Sequence, residues 1–265
     1  MPNNITTLIS PRNKADLSKI VNKLCAISIT PELLPTTGQN TFEDILSEQN
    51  ILDVKVNVDF NTITPMPERL SVVAIAYNIY TYAIVCYLRN MSPIQYEEKL
   101  KPLYDISNDI FDNIKGKNYG SVVKLKLILA RIDESEYENM RSKVRPYLSN
   151  GVTIEQFGER YYTNIIKYGH AHWYTWCVEN WGTKWNAYNC FITEQYISFD
   201  TAWSTPEPII VQLSKDLPEV EMFILYADED IGFNYGAYII KNGNKIESLP
   251  ITNEQKFCRI VKHDQ

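Results

Sequence analysis

A histidine pair, a few acidic residues and scattered cysteines are the side chains whose types could carry chemistry. His170 and His172 lie two residues apart, so on a helix they point to different sides and make a poor metal-binding pair. No HExxH motif and no third nearby ligand completes a zinc site. His170 directly follows Gly169, a position more typical of packing or of a helix bend than of a general base.

Acidic residues form the second group of candidates. Asp200 lies in a predicted strand. A turn between two later predicted strands supplies three more, Asp228, Glu229 and Asp230. Neighbouring strands could bring these carboxylates together as a Mg²⁺ or Ca²⁺ site. The turn lacks the alternate-position spacing of a calcium loop, so we favour a solvated acidic turn over a metal-dependent nuclease site.

The sequence offers no activated nucleophile. It contains neither a GxSxG motif nor a glycine-rich phosphate loop. Cys177 and Cys190 have no indicated partner base, and we interpret both as small buried hydrophobic residues. We therefore predict no catalytic residue, no metal and no cofactor, and nothing in the sequence favours an enzyme.

Cysteine usage and the first residues bear on the compartment. The five cysteines are an odd number without a CxxC pair, so neither a disulfide framework nor a zinc site is indicated. The first residues lack the charged and apolar regions of a secretory signal. We expect a reducing cytoplasm.

The charge distribution disfavours generic binding to nucleic acid. The formal net charge is −6. Residues 1–150 carry 17 basic and 17 acidic residues, whereas residues 151–265 carry 9 basic and 15 acidic residues. Binding to a phosphate backbone needs a basic surface, which the C-terminal part lacks. A local basic patch in the first half is compatible with these totals.

One segment has the length of a membrane span. Leu70–Leu88 is nineteen residues without a charge, flanked by Arg69 and Arg89. That length could cross a bilayer. However, its four tyrosines are spread along the run instead of gathered at its ends, and polar residues such as Asn78 interrupt it. We therefore favour a buried core helix and expect no membrane partner.

Strand-like alternation occurs in both terminal parts of the chain, and helical periodicity occurs in the middle. The predicted order is strand (4–9), helix (14–24), strand (54–60), a helical block (68–181) whose last helix is 154–181, strand (196–203), helix (205–217) and two strands (222–227 and 233–240). This order predicts an α+β fold, a split ferredoxin-like antiparallel sheet with a large inserted helical subdomain. The expected boundaries are 1–67 for the first half of the ferredoxin-like domain, 68–168 for the insertion and 169–265 for the second half.

Four of the five tryptophans fall within thirteen residues. Trp173, Trp176 and Trp181 share one stripe of the predicted helix, and Gly182 is well placed to end that helix. We interpret the stripe as a core layer that packs opposite Phe199 and Trp203 of the next strand. It would thereby join the insertion to the sheet.

Trp185 lies beyond the predicted end of this helix and is the tryptophan that we expect to reach the surface. An exposed tryptophan is a typical anchor of a binding surface. The full set of candidate contact residues is Trp185, Lys184, Tyr188, Asp200, Asp228, Glu229 and Asp230.

Several segments of the chain resemble one known family. They are VDFNTITPMPERL (58–70), GHAHWYTWCVENWGTKWNAY (169–188), ISFDTAWSTPEPIIVQLSKDLP (197–218) and FNYGAYIIKNG (233–243). With the opening MPNN, they are similar to the YubB-type ferredoxin-like family of phage and plasmid proteins. The resemblance covers nearly the whole chain and is weakest over 91–150. It implies a cytoplasmic protein of a mobile element and supplies no catalytic residues.

An interaction protein is the first functional hypothesis. Residues 199–230 contain eight acidic residues and one lysine. Such a surface suits docking on the basic nucleic-acid channel of a host defence complex, for example a CRISPR effector or a restriction enzyme.

A nucleic-acid-binding module is the alternative. Ferredoxin-like sheets can stack bases on exposed aromatic side chains, and Trp185, Tyr188 or Tyr235 could serve. The inserted helices offer a possible basic surface made of Lys115, Lys117, Lys124, Lys126, Arg141, Lys143 and Arg145. Glu134, Glu136 and Glu138 interleave with these basic residues, so a solvated helix face is the simpler interpretation.

Overall fold

A computed structural model describes residues 3–29, 54–92, 94–95, 97–102 and 131–262. The chain divides into two compact units. Met1–Pro65 and Cys177–Gln265 form the first, here called the sheet unit, and Met66–Trp176 form the second, here called the helical unit.

Strands and helices follow in an order that mixes both classes. The strands are β1 (Asn4–Pro11), β2 (Cys25–Ile29), β3 (Val54–Val58), β4 (Tyr188–Ile192), β5 (Ile197–Ala202), β6 (Met222–Asp228), β7 (Gly236–Lys241) and β8 (Asn244–Ser248). The α-helices are α1 (Leu17–Leu24), α2 (Tyr77–Arg89), α3 (Glu134–Val144), α4 (Ile154–Tyr168), α5 (Trp173–Asn180), α6 (Glu207–Asp216) and α7 (Glu254–Lys262). The second boundary between the units falls within α5.

The sheet unit is built around β1. The main sheet has the order β4-β5-β1-β6-β7-β8, and β1 pairs antiparallel with both β5 and β6. Because both neighbours oppose β1, β5 and β6 run parallel to each other and are connected through α6. This arrangement is a split β-α-β unit, and it confirms the predicted α+β, ferredoxin-like class.

The prediction placed the strand at 54–60 in the same sheet, and this was wrong. β3 instead pairs with β2, a strand missing from the predicted order, in a separate two-stranded sheet. The physical reason is that β5 and β6 occupy both hydrogen-bonding edges of β1, so no position beside β1 is left for another strand.

Helices cover both faces of the main sheet. Tyr238 of β7 donates a 2.7 Å hydrogen bond from its hydroxyl to Glu207 of α6, which places α6 on one face. α7 packs on the opposite face, where Leu8 and Ala227 contact Cys258 and Val261. Strand alternation therefore separates two apolar layers, one under each helix. β4, β8 and α7 were missing from the predicted order.

The helical unit contains the uncharged run that had the length of a membrane span. Its helix α2 begins at Tyr77, not near Leu70, and has 13 residues. Before it, Val72 and Ile75 are buried without being helical. Of the helices within the described residues, none is long and apolar enough to cross a membrane.

The long helix predicted over 154–181 is two helices. Gly169 has a φ of 75° and a left-handed conformation, which ends α4, and α5 begins at Trp173. The apolar periodicity continues on both sides of the break, so only the glycine signalled it. Residues 103–130 of the predicted helical block lie outside the described residues.

A glycine permits close contact between α2 and α4. A Cβ on Gly158 would lie 1.9 Å from the carbonyl oxygen of Ala83. The same core contains the stacked rings of Tyr80 and Tyr161, whose centroids are 5.9 Å apart.

We expect Gly158→Ala to destabilise the protein, although alanine favours a helix over glycine by about 1 kcal/mol. Forcing the helices apart costs about 1–3 kcal/mol, so after the helix-propensity gain is subtracted the free energy of unfolding should decrease by up to about 2 kcal/mol in urea titrations. Arg160→Ala, an exposed change on the same helix, is the control and should change it by less than about 0.5 kcal/mol. A stabilised Gly158→Ala variant would contradict the close helix contact.

His172 is buried in the helical unit with an unusual environment. Only 4% of its surface is exposed, and its ring lies edge-on to Tyr80 at 6.1 Å between centroids. Burial lowers the pKa of His172 below its ordinary value of 6.5, although the ring hydrogen-bonds to the backbone of Ile75. Within the described residues, Nδ1 has no hydrogen-bond partner. The folded chain therefore favours the neutral form of the His172 ring.

We expect the stability of the protein to fall as the pH drops below 6.5. The unfolded chain then binds a proton at His172 that the folded chain rejects, so the free energy of unfolding decreases toward acid by at most about 1.4 kcal/mol per pH unit. Above pH 6.5 both states are neutral at this site and the contribution is constant. Denaturant titrations of the wild type and His172→Gln between pH 5 and 8 test this, and the variant should show the smaller slope. An unchanged slope in His172→Gln would contradict the assignment.

Candidate functional site

Two turns of the sheet unit are hydrogen-bonded to each other at the end of β5. The hydroxyl of Thr183 donates to the carbonyl oxygen of Ala202 at 2.9 Å, and that of Ser204 donates to the carbonyl oxygen of Gly182. Gly182 has a φ of +77°, and a Cβ there would lie 2.6 Å from Cδ of Pro208. Glycine is therefore required where the first turn approaches the beginning of α6.

Trp203 lies at the second of these turns in a strained conformation. Its φ is +69°, which is an outlier for a bulky residue. Its backbone N–H donates to the carbonyl oxygen of Asn3 at 2.8 Å, and 48% of its surface is exposed. We had predicted Trp203 in the core layer opposite the tryptophan stripe, and this was wrong. β5 ends at Ala202, and the positive φ breaks the strand alternation on which the prediction depended.

Lys184 lies against two tryptophans. Its Nζ is 4.5 Å from the ring centroid of Trp185 and 4.6 Å from that of Trp203. Both distances are within the range of cation–π attraction. We call Lys184, Trp185 and Trp203 the tryptophan clamp. Trp185, predicted to be exposed, is half-buried.

The tryptophan stripe itself is partly in the core. Trp176 and Trp181 are buried as predicted, whereas Trp173 is half-buried. In the sheet unit, Trp181 lies edge-on to Phe60 at 5.8 Å, and its Nε1 donates to the carbonyl oxygen of Thr64 at 2.8 Å. This tryptophan has a structural role.

The beginning of β1 connects the clamp to the acidic turn. Asn3, which accepts from Trp203, donates from its side chain to Asp230 at 3.1 Å. The carbonyl oxygen of Asn4 accepts from the backbone of Glu229 at 2.9 Å. β1 therefore has the clamp on its β5 side and the acidic turn on its β6 side.

Tyr188 and Asp200 lie opposite each other on β4 and β5. Tyr188 donates its hydroxyl hydrogen to Oδ1 of Asn4, and Asp200 accepts from Thr6 at 2.7 Å and from Asn189 at 2.9 Å. Burial raises the pKa of Tyr188, and the charges of Asp200 and of Glu229 raise it further. The phenol therefore remains neutral.

The carboxylates do not assemble into a metal site within the described part of the chain, where no group of three or more potential ligands was found. Asp228 is buried and accepts from the backbone of Asp230 at 3.0 Å, which shapes the turn. Glu229 and Asp230 are exposed. The turn thus presents negative charge to solvent.

Two apolar residues beside the acidic turn were missed by the sequence analysis. Phe233 is 72% exposed and Ile231 is 41% exposed. The backbone N–H of Phe233 donates to the carbonyl oxygen of Asp230 at 3.0 Å, which keeps the residue at the turn. We had assigned Phe233 to a strand, but β7 begins only at Gly236. The feature of the sequence that could have indicated this exposure is an apolar residue in the turn between two strands.

We call the clamp, the exposed acidic residues and these two apolar residues the β1-end surface. Its members are Lys184, Trp185, Trp203, Glu229, Asp230, Ile231 and Phe233. Of the seven predicted contact residues, Lys184, Trp185, Glu229 and Asp230 belong to it. Tyr188, Asp200 and Asp228 lie beside it and are engaged in hydrogen bonds.

The predicted basic surface is only partly described. Lys115, Lys117, Lys124 and Lys126 lie outside the described residues. Arg141 forms a 2.8 Å ion pair with Glu155, and Arg145 lies 3.4 Å from Glu138. Lys143 lies over the ring of Tyr82 at 5.5 Å. The basic side chains of α3 and the turn after it therefore have acidic or aromatic partners.

Cys177 and Cys190 of the sheet unit are poor nucleophiles. Burial raises the pKa of Cys177 to about 11 and also raises the pKa of Cys190, which accepts a hydrogen bond from the backbone of Val58. The thiolate forms required for catalysis are thus disfavoured near neutral pH.

We expect Trp203→Gly to be more stable than Trp203→Ala, the reverse of the usual order. A left-handed conformation costs an L-residue roughly 1–2 kcal/mol, and glycine avoids this cost. The greater freedom of glycine in the unfolded chain offsets about 0.4–1 kcal/mol of this advantage over alanine. The free energy of unfolding of Trp203→Gly in urea titrations should therefore exceed that of Trp203→Ala by about 1 kcal/mol. At Phe233, which has no such strain, alanine should be the more stable substitution. The same order at both positions would contradict the strain at Trp203.

Comparison with known proteins identifies the fold of the C-terminal part. No curated protein matches the chain. The crystal structure of a protein api92 from Yersinia pseudotuberculosis is similar at 10% identity, over 96% of this chain and 99% of that chain, with a TM-score of 0.34. Residues 180–261 match a family model described as the ferredoxin-like domain in Api92-like protein. Over these residues, which contain the whole β1-end surface, the chain is similar to the ferredoxin-like domain of Api92-like proteins.

Proposed function

We propose that this chain acts by binding another protein, as an accessory protein of a phage or plasmid. The observation that carries the binding proposal is Trp203, which is half-exposed although its backbone is strained. Strained residues persist where the surrounding structure holds them, and they are concentrated at functional sites. The resemblance of residues 169–188 and 197–218 to YubB-type proteins supports the mobile-element origin.

The composition of the β1-end surface favours a protein partner. Trp203, Phe233 and Ile231 offer three exposed apolar side chains at one end of the sheet. Buried aromatic anchors surrounded by a polar rim are typical of protein–protein interfaces. Glu229 and Asp230 supply a charged rim on one side of these anchors.

The charge of this rim favours a basic partner. Negative residues at an interface attract a positive patch, which accelerates association and selects the partner. A host defence complex with a basic nucleic-acid channel has this charge, and inhibition of such a complex is the activity that we propose. The excess of acidic over basic residues in 151–265 also favours a basic partner.

Binding of nucleic acid is the competing hypothesis, and it makes the opposite electrostatic demand. Exposed carboxylates beside the aromatic anchors repel a phosphate backbone. Retention of RNA or DNA on filters at about 50 mM salt, lost in Trp203→Ala, would favour it over protein binding.

We expect Trp203→Ala to lose the protein partner. Removal of a central tryptophan anchor typically costs 2 kcal/mol or more, so the affinity should fall by about 30-fold. Affinity purification of the full chain from lysate of the natural host, with quantitative mass spectrometry, measures the recovery of each protein in parallel.

Phe191→Ala and Ile246→Ala are matched controls because both side chains are exposed on other strands of the main sheet, at 57% and 56%. Both should recover the partner at the wild-type level. Equal recovery by all three variants, or recovery of the same proteins as from an empty matrix, would refute the proposed function.

A further inference from the structure

We propose that the tryptophan clamp is a receptor for a cationic side chain, an arginine of the partner protein, and that Lys184 occupies this receptor in the free protein. This inference rests on the proposed function, since it names the chemical group that the β1-end surface recognises.

The first argument is that two rings share one cation. Nζ of Lys184 lies over Trp185 and over Trp203 at nearly equal distances of 4.5 and 4.6 Å. Tryptophan attracts cations more strongly than the other aromatic residues, and paired aromatic rings recognise cationic ligands in proteins. The geometry is therefore that of a cation site, and it is filled from within the chain.

The second argument is that the backbone is built to hold both rings. Thr183 and Ser204 tie the two turns together, and Thr201 donates its hydroxyl hydrogen to the carbonyl oxygen of Ser204 at 2.8 Å. These bonds hold Trp203 at a φ of +69°, a conformation that the residue would otherwise leave. Packing of a core does not account for this strain, because the ring is half-exposed.

The third argument concerns access and charge. The exposed part of Trp203 can be reached from solvent, and β1 begins between it and the exposed carboxylate of Asp230. A negative group near an aromatic pair favours a cation over a neutral or anionic ligand. Arginine fits better than lysine because its planar guanidinium stacks on an indole and is more weakly hydrated.

In the free chain, Lys184 itself occupies the receptor. Its ammonium lies on a flexible four-carbon stem, so it can leave the rings when a guanidinium enters. Until then it competes with any external cation. The free chain should therefore bind an isolated arginine weakly, and the partner must supply further contacts at Phe233 and the acidic turn.

The test removes the internal cation and keeps its volume. The full chain carrying Lys184→Met is titrated with N-acetyl-arginine amide, and binding is followed by the NMR shifts of the Trp185 and Trp203 indole N–H groups. We expect Lys184→Met to bind this probe about tenfold more tightly than the wild type, within the range expected for one cation–π competitor. Adding Trp203→Ala to Lys184→Met should abolish the gain.

Two matched controls separate recognition of the cation from general effects. N-acetyl-citrulline amide, a neutral analogue of the probe, should not shift the indole signals. Lys245→Met removes another lysine that lies over an aromatic ring, 4.2 Å from the centroid of Tyr238, and should leave the affinity unchanged. Thermal unfolding of each variant confirms that it is folded.

Equal or weaker binding by folded Lys184→Met, equal binding of citrulline, or equal stacking of uridine monophosphate would overturn the proposal. These outcomes do not depend on capture of a partner. A chain that binds arginine as expected but retrieves the same proteins with Trp203→Ala supports the clamp and contradicts the proposed function.

Discussion

Pairing of β1 on both of its edges is the constraint on which the sheet unit depends. This strand, from the start of the chain, is hydrogen-bonded between β5 and β6, whose connection through α6 is complete within the C-terminal part. Without β1 the two parallel strands would have unpaired backbone groups along their facing edges. The position of β1 between β5 and β6 also puts Asn3 between Trp203 and Asp230. The pairing that completes the sheet therefore also assembles the β1-end surface.

The tryptophans of this chain illustrate how one residue type serves two purposes. Trp181 is buried, has its N–H satisfied by Thr64, and contributes to the core of the sheet unit. Trp203 is half-exposed, lies over Lys184 and has an unfavourable backbone conformation. A core tryptophan stabilises the fold because both faces of its large apolar ring are shielded from water. The strained, half-exposed Trp203 is the observation on which the proposed binding function rests.

Much of the fold was predictable because apolar periodicity follows burial. The strand at β1, the helix α6 with its stripe of Ile209, Ile210 and Leu213, and the ferredoxin-like class all follow from local patterns. The failures have local causes too. The break at Gly169 interrupts a continuous apolar pattern, and the positive φ of Trp203 reverses a side chain that strand alternation places inside.

The sequence by itself determined which residues are candidates for contact, because tryptophan, lysine and acidic side chains have properties that do not depend on the fold. It also determined the class of the sheet through the order of its elements. Only the tertiary structure decided that β3 leaves the main sheet and that Phe233 lies exposed beside the acidic turn. It alone placed Lys184 against two rings 18 residues apart in the chain. The reason is that strand pairing joins distant segments, and no local pattern encodes which edges are already occupied.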